Sequence, residues 1–568
     1  MSDELPDPAL DLLGIAEQAT TAADPVAFLR SLAKTGAALS LHPLRSSHAV
    51  RRLAVGYVDL LSATARRAIG DLAEGPCAAD PKDRRFTDNA FEQNPFFFAL
   101  AQNHLLAERF AQDLIEAAAL PAEETSKAEF ASKFMLDALA PTNTWLGNPV
   151  ALRTAFDTGG KSVARGVRNF LDDLHNNGGW PSQVDASSFE VGKNTAATKG
   201  KVVYRSDLIE LIQYEPLTPE VHTIPLLVCP PWINKYYIID LAPGRSLIEW
   251  AVQHGHTVFA ISYRNPDASM RETDLEDYLM NGPLDALRVV REITGAPQVN
   301  LLSVCMGGTL TAIGLAYLAR QGDDSVNAAT FLNAHTDFTR PGTLGVFVDE
   351  RTVAGLERKM KKTGYLDATD MARTFDTLRA NDLIFSYVIN NWLLGNSPPA
   401  FDLLAWNADS TRMPAKMYST YLRSCYVRNE FARGEFVVDG DVVDPSATTT
   451  DNYVLSAIDD HIVPWQSAYQ TTQLLGGKSR FVLSTSGHIA GIVNPPSPKA
   501  KHWTNDALPV EAEEWLEGAA LNNETWWEDW ARWIADRAGP KIPAPEKFGS
   551  RKHQVIEDAP GTYVRVRS

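Results

Sequence analysis

A cysteine lies between an apolar run and a glycine pair in the segment 301–310, which reads Leu-Leu-Ser-Val-Cys-Met-Gly-Gly-Thr-Leu. A strand, a turn of small residues around a nucleophile and then a helix form the layout of a nucleophile elbow, in which serine is usual. Cys305 takes that place here, and the N-terminal end of the following helix would stabilise its thiolate. Ser303 stands where the strict motif has glycine, so this segment alone leaves a buried structural cysteine as an alternative.

Two later segments carry the partners that a thiol nucleophile needs. Asp460 follows one apolar run, and His488 follows the next run and a glycine. In α/β hydrolases the chain order is nucleophile, acid, histidine, and the 28 residues from Asp460 to His488 leave room for one helix and one strand. We therefore expect Cys305, Asp460 and His488 to meet at one sheet edge, where a Cys–His pair assisted by a carboxylate activates the thiol.

Other titratable residues near these segments have simpler interpretations. His461, beside the candidate acid, is interpreted as a structural residue or a support of the site, and Asp459 as a solvated neighbour. His335 follows a strand and could border the site, whereas His254 and His256 flank a helix end as capping or core residues. The sequence has no cluster of histidine, cysteine and carboxylate at metal-ligand spacing, so we expect no metal.

The segment 228–240 follows an early strand and reads Val-Cys-Pro-Pro-Trp-Ile-Asn-Lys-Tyr-Tyr-Ile-Ile-Asp. In α/β hydrolases this position supplies one N–H of the oxyanion hole, and the residue after the nucleophile supplies the other. The expected donors are the backbone amides of Ile233 and Met306, which would stabilise the oxyanion of an attacked ester or thioester. Trp232 is a candidate for supporting the site. Cys229 lies inside the strand, so we expect it to be buried and not to be the nucleophile.

Short apolar runs alternate with helical patterns from about residue 189 onward, which predicts a mostly parallel sheet with helices on both faces. The predicted strands are 201–204, 208–212, 224–228, 257–261, 299–302, 328–332, 453–456 and 480–483. The first two read as a hairpin. Because the alternation stops over about 340–445, we expect that stretch to be an inserted cap over the carboxyl ends of the strands.

Three regions are expected: a helical, Ala-rich N-terminal domain (1–185), an α/β-hydrolase catalytic domain with the cap (186–545) and an extended C-terminal tail (546–568). Trp526, Trp527, Trp530 and Trp533 follow helical spacing. This pattern predicts a helix packed on the catalytic domain, with an aromatic substrate platform as the alternative.

The composition argues against several classes of function and location. The 568 residues include 53 Lys and Arg against 70 Asp and Glu, a net charge of −17 that argues against nucleic-acid binding. The four cysteines, Cys77, Cys229, Cys305 and Cys425, form no CxxC pair. No apolar run approaches the ~18 residues of a membrane span, and the acidic start Met1–Glu4 has no apolar stretch of a signal peptide. We expect a cytoplasmic protein.

Four motifs in this order resemble bacterial polyhydroxyalkanoate synthases, over roughly residues 90–545. They are Pro-Pro-Trp-Ile-Asn-Lys-Tyr-Tyr-Ile-Ile-Asp-Leu at 230–241, Cys-Met-Gly-Gly-Thr at 305–309, Asp-His-Ile-Val-Pro-Trp at 460–465 and Gly-His-Ile-Ala-Gly-Ile-Val-Asn-Pro-Pro at 487–496. The likeness extends to Asn169–Gly179, Phe189–Lys193, Trp406–Thr411 and the Trp526-Trp527 pair. Four matched motifs are far more specific than any one of them.

The resemblance implies an acyltransferase that polymerises (R)-3-hydroxyacyl-CoA into polyester and releases CoA, with no cofactor because CoA belongs to substrate and product. Cys305 would hold the growing polyester as a thioester, and His488 would take the proton of the Cys305 thiol. Asp460 would activate the substrate 3-hydroxyl or orient His488. The resemblance also implies a homodimer at the surface of a polyester granule in the cytoplasm, with granule-associated proteins as further partners. The preferred monomer length stays open.

Two alternatives remain at this point. A thioesterase or polyester depolymerase of the same fold would release free hydroxyacid, but cysteine at the elbow and a large cap argue against it. A non-catalytic granule scaffold would have no need of Cys305, Asp460 and His488 together.

Overall fold

Residues 25–81, 83–346 and 348–568 are described by the structure, a computed structural model. These residues divide into two units. The smaller unit holds the described residues up to Asp185 together with Ala372–Ala400, and the larger holds Ala186–Met371 and Phe401–Ser568. The acidic start that argues against a signal peptide lies outside the described residues, as does the rest of 1–24 at the start of the expected N-terminal domain.

The larger unit is built on an 11-stranded sheet. Its strands are β1 (Gly200–Arg205), β2 (Ile209–Tyr214), β3 (Leu226–Cys229), β4 (Val258–Tyr263), β5 (Val299–Val304), β6 (Val326–Leu332), β7 (Asp451–Ala457), β8 (Ser479–Ser484), β9 (His502–Thr504), β10 (Ala520–Asn522) and β11 (Glu557–Asp558). They lie in the order β10-β9-β8-β7-β6-β5-β3-β4-β2-β1-β11.

The centre of the sheet is parallel, from β4 through β3, β5, β6 and β7 to β8. These strands are nearly continuous apolar runs because helices cover both faces, and β3 and β5 are buried at every residue. The remaining pairs at the two edges are antiparallel, and β1 and β2 form the expected hairpin. The predicted α/β-hydrolase fold class is confirmed.

Helices connect and flank the strands of the larger unit. They are Leu247–Gln253, Leu275–Leu279, Asp285–Thr294, Met306–Gln321, Gly342–Gly345, Glu350–Thr363, Ala368–Leu378 (which crosses the boundary between the units), Asp402–Ala408, Ala415–Tyr421, Trp465–Tyr469, Thr471–Leu474, Ala490–Val493, Ala512–Glu517 and Trp526–Ala535. In the last of these helices, Trp526, Trp527 and Trp530 are buried. This helix therefore packs on the unit, as the spacing predicts, and presents no exposed aromatic platform.

The smaller unit is helical, with Pro25–Leu41, Pro43–Ala68, Ala90–Gln93, Pro95–Ala118, Ala122–Ala138, Pro149–Asp157 and Lys161–Asn176. Asn94 and Asn148 cap two of these helices with their side-chain oxygens, and each is followed by a proline in the first turn. Buried Arg85 pairs with Asp83, Glu108 and Asp137. The caps fix where two of the described helices begin, and the ion pairs of Arg85 join segments that are distant in sequence.

Residues 372–400 lie inside the stretch expected to be a single cap, yet they belong to the smaller unit. The indole of Trp392 donates to Asp173 at 2.8 Å, and the indole of Trp180 donates to Asp376 at 2.9 Å. Phe385 packs in the same apolar cluster as Trp180 and Trp392. The expected insertion of 340–445 is therefore divided, because these buried contacts tie its middle part to the helices.

The stretch 546–568 is not a free extended tail. Its strand β11 pairs with β1, and Val564 is buried. The buried carboxylate of Glu210 accepts hydrogen bonds from the Thr562 and Tyr563 N–H groups at 3.1 and 3.0 Å. These bonds make the stretch a part of the larger unit.

Candidate active site

Cys305 stands between β5 and the helix Met306–Gln321 in a conformation that few side chains adopt, with φ +51° and ψ −122°. Its N–H donates to the Leu332 carbonyl at 2.9 Å, which ties the turn to β6. A strained turn held in this way exposes the nucleophile at the carboxyl end of the strand. The elbow geometry that the sequence predicts is thus present.

Small residues make this turn possible. A Cβ on Gly307 would lie 2.3 Å from the Cys229 carbonyl oxygen, and a Cβ on Gly308 would lie 2.4 Å from the Cβ of Ala334. Ser303, which replaces the usual glycine, is fully buried and donates its hydroxyl to the Thr330 carbonyl at 2.7 Å. Because serine is small and its hydroxyl is bonded, this departure from the motif leaves the elbow intact.

Asp460 and His488 meet at the same edge of the sheet. Asp460 follows β7 and His488 follows β8, and Oδ2 of Asp460 lies 2.7 Å from Nδ1 of His488. The other carboxylate oxygen accepts the N–H groups of Ile462 and Val463, each at 2.9 Å. Both oxygens of this buried carboxylate are thus engaged, one of them with the imidazole.

The pKa of His488 lies well above its ordinary value. Burial acts to lower this pKa, but the charges of Asp460 and Cys305 and the hydrogen bonds to both residues outweigh it. Nδ1 faces Asp460, so Nε2 is the nitrogen left to exchange a proton with the Cys305 thiol. The three groups can therefore move a proton from sulfur to a histidine stabilised by a carboxylate.

The segment expected to supply the second oxyanion donor lies beside the elbow. A Cβ on Gly307 would also come within 2.7 Å of the Pro230 carbonyl oxygen, so the two turns touch. Met306 is the first residue of its helix, where an N–H has no partner within the helix. Ile233 lies in the turn between buried Trp232 and Asn234. The oxyanion role of both amides stays a prediction.

Two family models match this chain, over ranges that overlap at residues 225–251. Residues 82–251 match the model described as the N-terminus of poly-beta-hydroxybutyrate polymerase (PhaC), and residues 225–495 match the alpha/beta hydrolase fold.

Full-length relatives decide the family. The chain is 43% identical to the poly(3-hydroxyalkanoate) polymerase subunit PhaC of Cupriavidus necator, over 88% of this chain and 86% of that one. It is 41% identical to poly(3-hydroxyalkanoate) polymerase 1 of Ectopseudomonas oleovorans, over 87% and 89% of the two chains. The polymerase of Methylorubrum extorquens is 40% identical, over 95% and 90%. The chain belongs to the poly(3-hydroxyalkanoate) polymerase family.

In this member of the polymerase family, an aromatic cluster adjoins the nucleophile. Burial raises the pKa of the Tyr421 and Tyr426 hydroxyls, and the charge of Cys305 adds to both shifts, which places the two rings near it. The Tyr426 ring centroid lies 5.6 Å from that of Tyr421 and 4.8 Å from that of Phe338. The two tyrosines come from the expected cap region, so this part of it borders the nucleophile.

The remaining residues that the sequence singles out, Trp232, His461 and His335, make packing contacts or hydrogen bonds within the protein. The Trp232 ring packs on Tyr278, with centroids 5.2 Å apart. The backbone carbonyl of His461 accepts from the Thr343 N–H at 3.1 Å, and buried His335 lies 3.2 Å from the Ile462 carbonyl. Burial lowers the pKa of His335 to about 4. His335 therefore supports the turn that carries Asp460.

The other three cysteines do not share the surroundings of Cys305. Burial raises the pKa of Cys229 to about 12, and it raises the pKa of Cys425 and Cys77 as well. A thiol that stays protonated at neutral pH is a poor nucleophile. In the described part of the chain, no group of three or more His, Cys, Asp and Glu side chains has the geometry of a metal site.

The site has further supports whose hydrogen bonds the sequence patterns do not show. Asn333, with φ +46°, donates its side-chain amide to the His488 carbonyl. The indoles of Trp526 and Trp527 donate to the Gly491 and Ile492 carbonyls at 2.8 and 2.9 Å. The one signal for Asn333 is its position, because asparagine tolerates the left-handed region at a strand end. The two indole hydrogen bonds mean that the helix Trp526–Ala535 holds the segment that follows His488.

Proposed function

We propose that this chain transfers (R)-3-hydroxyacyl groups from CoA to a growing polyester by way of a thioester on Cys305. The observation that carries the proposal is Cys305 on a strained elbow beside the hydrogen-bonded pair His488–Asp460, in a chain of the polymerase family. Its relatives are named poly(3-hydroxyalkanoate) polymerases, which supports the same reaction class here. As a member of the polymerase family, the chain is an enzyme, an acyltransferase.

The first half of the cycle loads the cysteine. His488 accepts the thiol proton, and the Cys305 sulfur attacks the thioester carbonyl of the substrate. The C–S bond to CoA then breaks while the new C–S bond to Cys305 remains, and the His488 proton passes to the CoA sulfur. The raised pKa of His488 supports this step because it favours the imidazolium that carries the proton.

The second half makes the ester. The 3-hydroxyl of another substrate attacks the Cys305 thioester, the C–O bond forms, the C–S bond breaks, and the hydroxyl proton returns to sulfur through His488. The lengthened chain, now on CoA, reloads the cysteine by the first half. Both oxygens of Asp460 are engaged within the protein, which supports its role in orienting His488 over direct activation of the hydroxyl.

Transfer to a hydroxyl requires that water be kept from the thioester. The aromatic cluster supports this requirement, because Tyr421 and Tyr426 lie near Cys305 and Phe338 packs against both of their rings. A thioesterase would instead need an open path for water. The cycle uses no resident cofactor, since CoA enters and leaves with the substrate.

We place the reaction at the surface of a polyester granule in the cytoplasm. Leu44, Val58, Leu61 and Ile69 in and beside the helix Pro43–Ala68 are 65–84% exposed, which supports contact with an apolar surface. Among the described residues, no helix is long and apolar enough to span a membrane. The family resemblance supports a homodimer and granule-associated proteins as partners.

The test is CoA release from (R)-3-hydroxybutyryl-CoA and a longer homologue, with the insoluble product weighed. We expect wild type to give CoA and polymer, and Cys305→Ala to give neither. Cys77→Ala is the matched control, because Cys77 lies in the helical unit and should keep full activity. CoA release with free acid alone would make the protein a thioesterase. No release from wild type, or equal release from Cys305→Ala, would overturn the proposed reaction.

A further inference from the structure

A single buried hydroxyl holds both residues that flank Ile233. Oγ1 of Thr411 donates to the Trp232 carbonyl at 2.9 Å and accepts the Asn234 N–H at 2.9 Å. Thr411 is 5% exposed and lies 179 residues along the chain from Trp232. The turn expected to supply an oxyanion donor is thus clamped by a distant segment.

This clamp fixes the direction of the Ile233 N–H. The Trp232 carbonyl and the Ile233 N–H belong to one planar peptide unit, and that unit is not among the cis peptides of the described chain. In a trans peptide the two groups point in opposite directions. Because Thr411 holds the carbonyl on one side, the N–H is aimed at the other side.

The same hydroxyl stabilises an unfavourable backbone conformation. Asn234 has φ +60°, in the left-handed region, and it is buried. Its N–H would lose its partner if the hydroxyl were absent, and an unsatisfied buried N–H is costly. Without Thr411 the turn would relax, and the Trp232–Ile233 peptide would be free to rotate.

Thr411 is itself held in place by its neighbours. The Arg412 N–H donates to Oδ1 of Asn265 at 3.0 Å, and Nδ2 of Asn265 donates to Oγ of Ser568 at 3.0 Å. That serine hydroxyl donates in turn to the Ser410 carbonyl at 2.7 Å. The hydroxyl of Thr411 therefore has little freedom to follow a moving turn.

We propose that Thr411 is a positioning residue that aims the Ile233 N–H at the oxyanion formed when Cys305 attacks the thioester. The inference rests on the proposed function and adds to it a residue that acts through the backbone without touching substrate. An N–H prepared in this direction stabilises negative charge that develops only in the transition state, so its loss should lower kcat more than it raises KM.

The chain offers a matched control in Thr448. Its hydroxyl makes the same pair of bonds, donating to the Pro445 carbonyl at 2.9 Å and accepting the Gly476 N–H at 2.9 Å, and it is 3% exposed. It precedes β7, at the opposite end of the strand from Asp460. Thr448→Val therefore loses the same bonds as Thr411→Val, away from the reacting groups.

The experiment measures kcat and KM for CoA release, thermal unfolding, and the rate at which iodoacetamide alkylates Cys305, read from the Cys305 peptide by mass spectrometry. For Thr411→Val we expect a fall in kcat of about 10- to 100-fold, with KM within about 3-fold of wild type. Thr411→Ser should stay within about 3-fold in kcat, since it keeps the hydroxyl. Alkylation needs the thiol but no oxyanion donor, so its rate should not change.

Three results would contradict the proposal in different ways. If Thr411→Val and Thr448→Val have equal kcat, Thr411 has no positioning role. If Thr411→Val slows alkylation as strongly as CoA release, the elbow itself is damaged and the specific role is overturned. If wild type releases no CoA, the proposed function fails, and the positioning role fails with it.

Discussion

Replacing Asp460 with asparagine removes the charge behind His488 and reverses the hydrogen bond to its Nδ1. The substitution keeps the size of the side chain, and an amide oxygen can still accept the N–H groups of Ile462 and Val463. The amide NH₂ would then face Nδ1 of His488, where the carboxylate oxygen now lies at 2.7 Å. Two donors cannot face each other, so Nδ1 would give up its hydrogen. Nε2 would carry it and could no longer accept the Cys305 proton.

The size of the effect follows from the geometry. The centres of the two charges are about 4 Å apart, which at an effective dielectric constant of about 20 corresponds to about 4 kcal/mol. Because burial already acts to lower the pKa of His488, the variant should lose the part of the upward shift that Asp460 supplies and keep only the part that Cys305 supplies. The same energy lost from an imidazolium-like transition state lowers kcat by about 10³-fold.

The assay is kcat for CoA release between pH 5 and 9, together with the His488 pKa from NMR of histidine-labelled protein. Asp459→Asn is the control, because this neighbour is exposed and should keep both values. A variant Asp460→Asn that retains more than about a third of the wild-type rate, with an unchanged His488 pKa, would refute the electrostatic reasoning. A loss of rate with an unchanged pKa would refute it as well.

Two further predictions concern packing and pH. Gly307→Ala should lower the thermal midpoint by the equivalent of about 1–3 kcal/mol and abolish CoA release, because its Cβ would lie 2.3 Å from a backbone oxygen. Gly355→Ala is the control: its Cβ would lie 3.8 Å from the nearest atom, so it should change neither the midpoint nor CoA release. Burial lowers the pKa of His256 to about 3, below about 6.5 in the unfolded chain. The unfolded state therefore binds more protons below pH 6.5, so the free energy of unfolding of wild type should fall by about 2 kcal/mol more than that of His256→Gln between pH 7.5 and 5. If the urea midpoint changes by the same amount between pH 7.5 and 5 in wild type and in His256→Gln, the prediction is contradicted.

The strands around the nucleophile could be predicted because each is an apolar run between turn residues. β5 and β6 are such runs, and the structure extends each by about two residues. β9, β10 and β11 escape prediction because they have only two or three residues and lie at the edges of the sheet. Pairing with a neighbouring strand, not their own sequence, makes them strands.

Chain order was sufficient to bring the candidate acid and histidine together, since parallel strands place their carboxyl ends at one edge. The supports of the site could not be predicted in this way. Asn333 reaches His488 across 155 residues. Within the helical unit, Trp392 likewise reaches Asp173 across 219 residues. No local period marks such pairs, because they depend on which loops the fold brings together. The same reason explains why residues 372–400 belong to the helical unit.

Three of the four turns that carry the candidate chemistry are held by a polar group, and two of these groups come from other loops. Asn333 binds the His488 carbonyl, Thr411 binds the Trp232 carbonyl, and the backbone of Ile462 binds Asp460. Removing one such bond costs about 1–3 kcal/mol of stability, which a large domain tolerates. A shift of about 1 Å in a reacting group can cost about 10²-fold in rate. Substitutions at these supports should therefore reduce turnover before they reduce folding, which is the opposite of what core substitutions do.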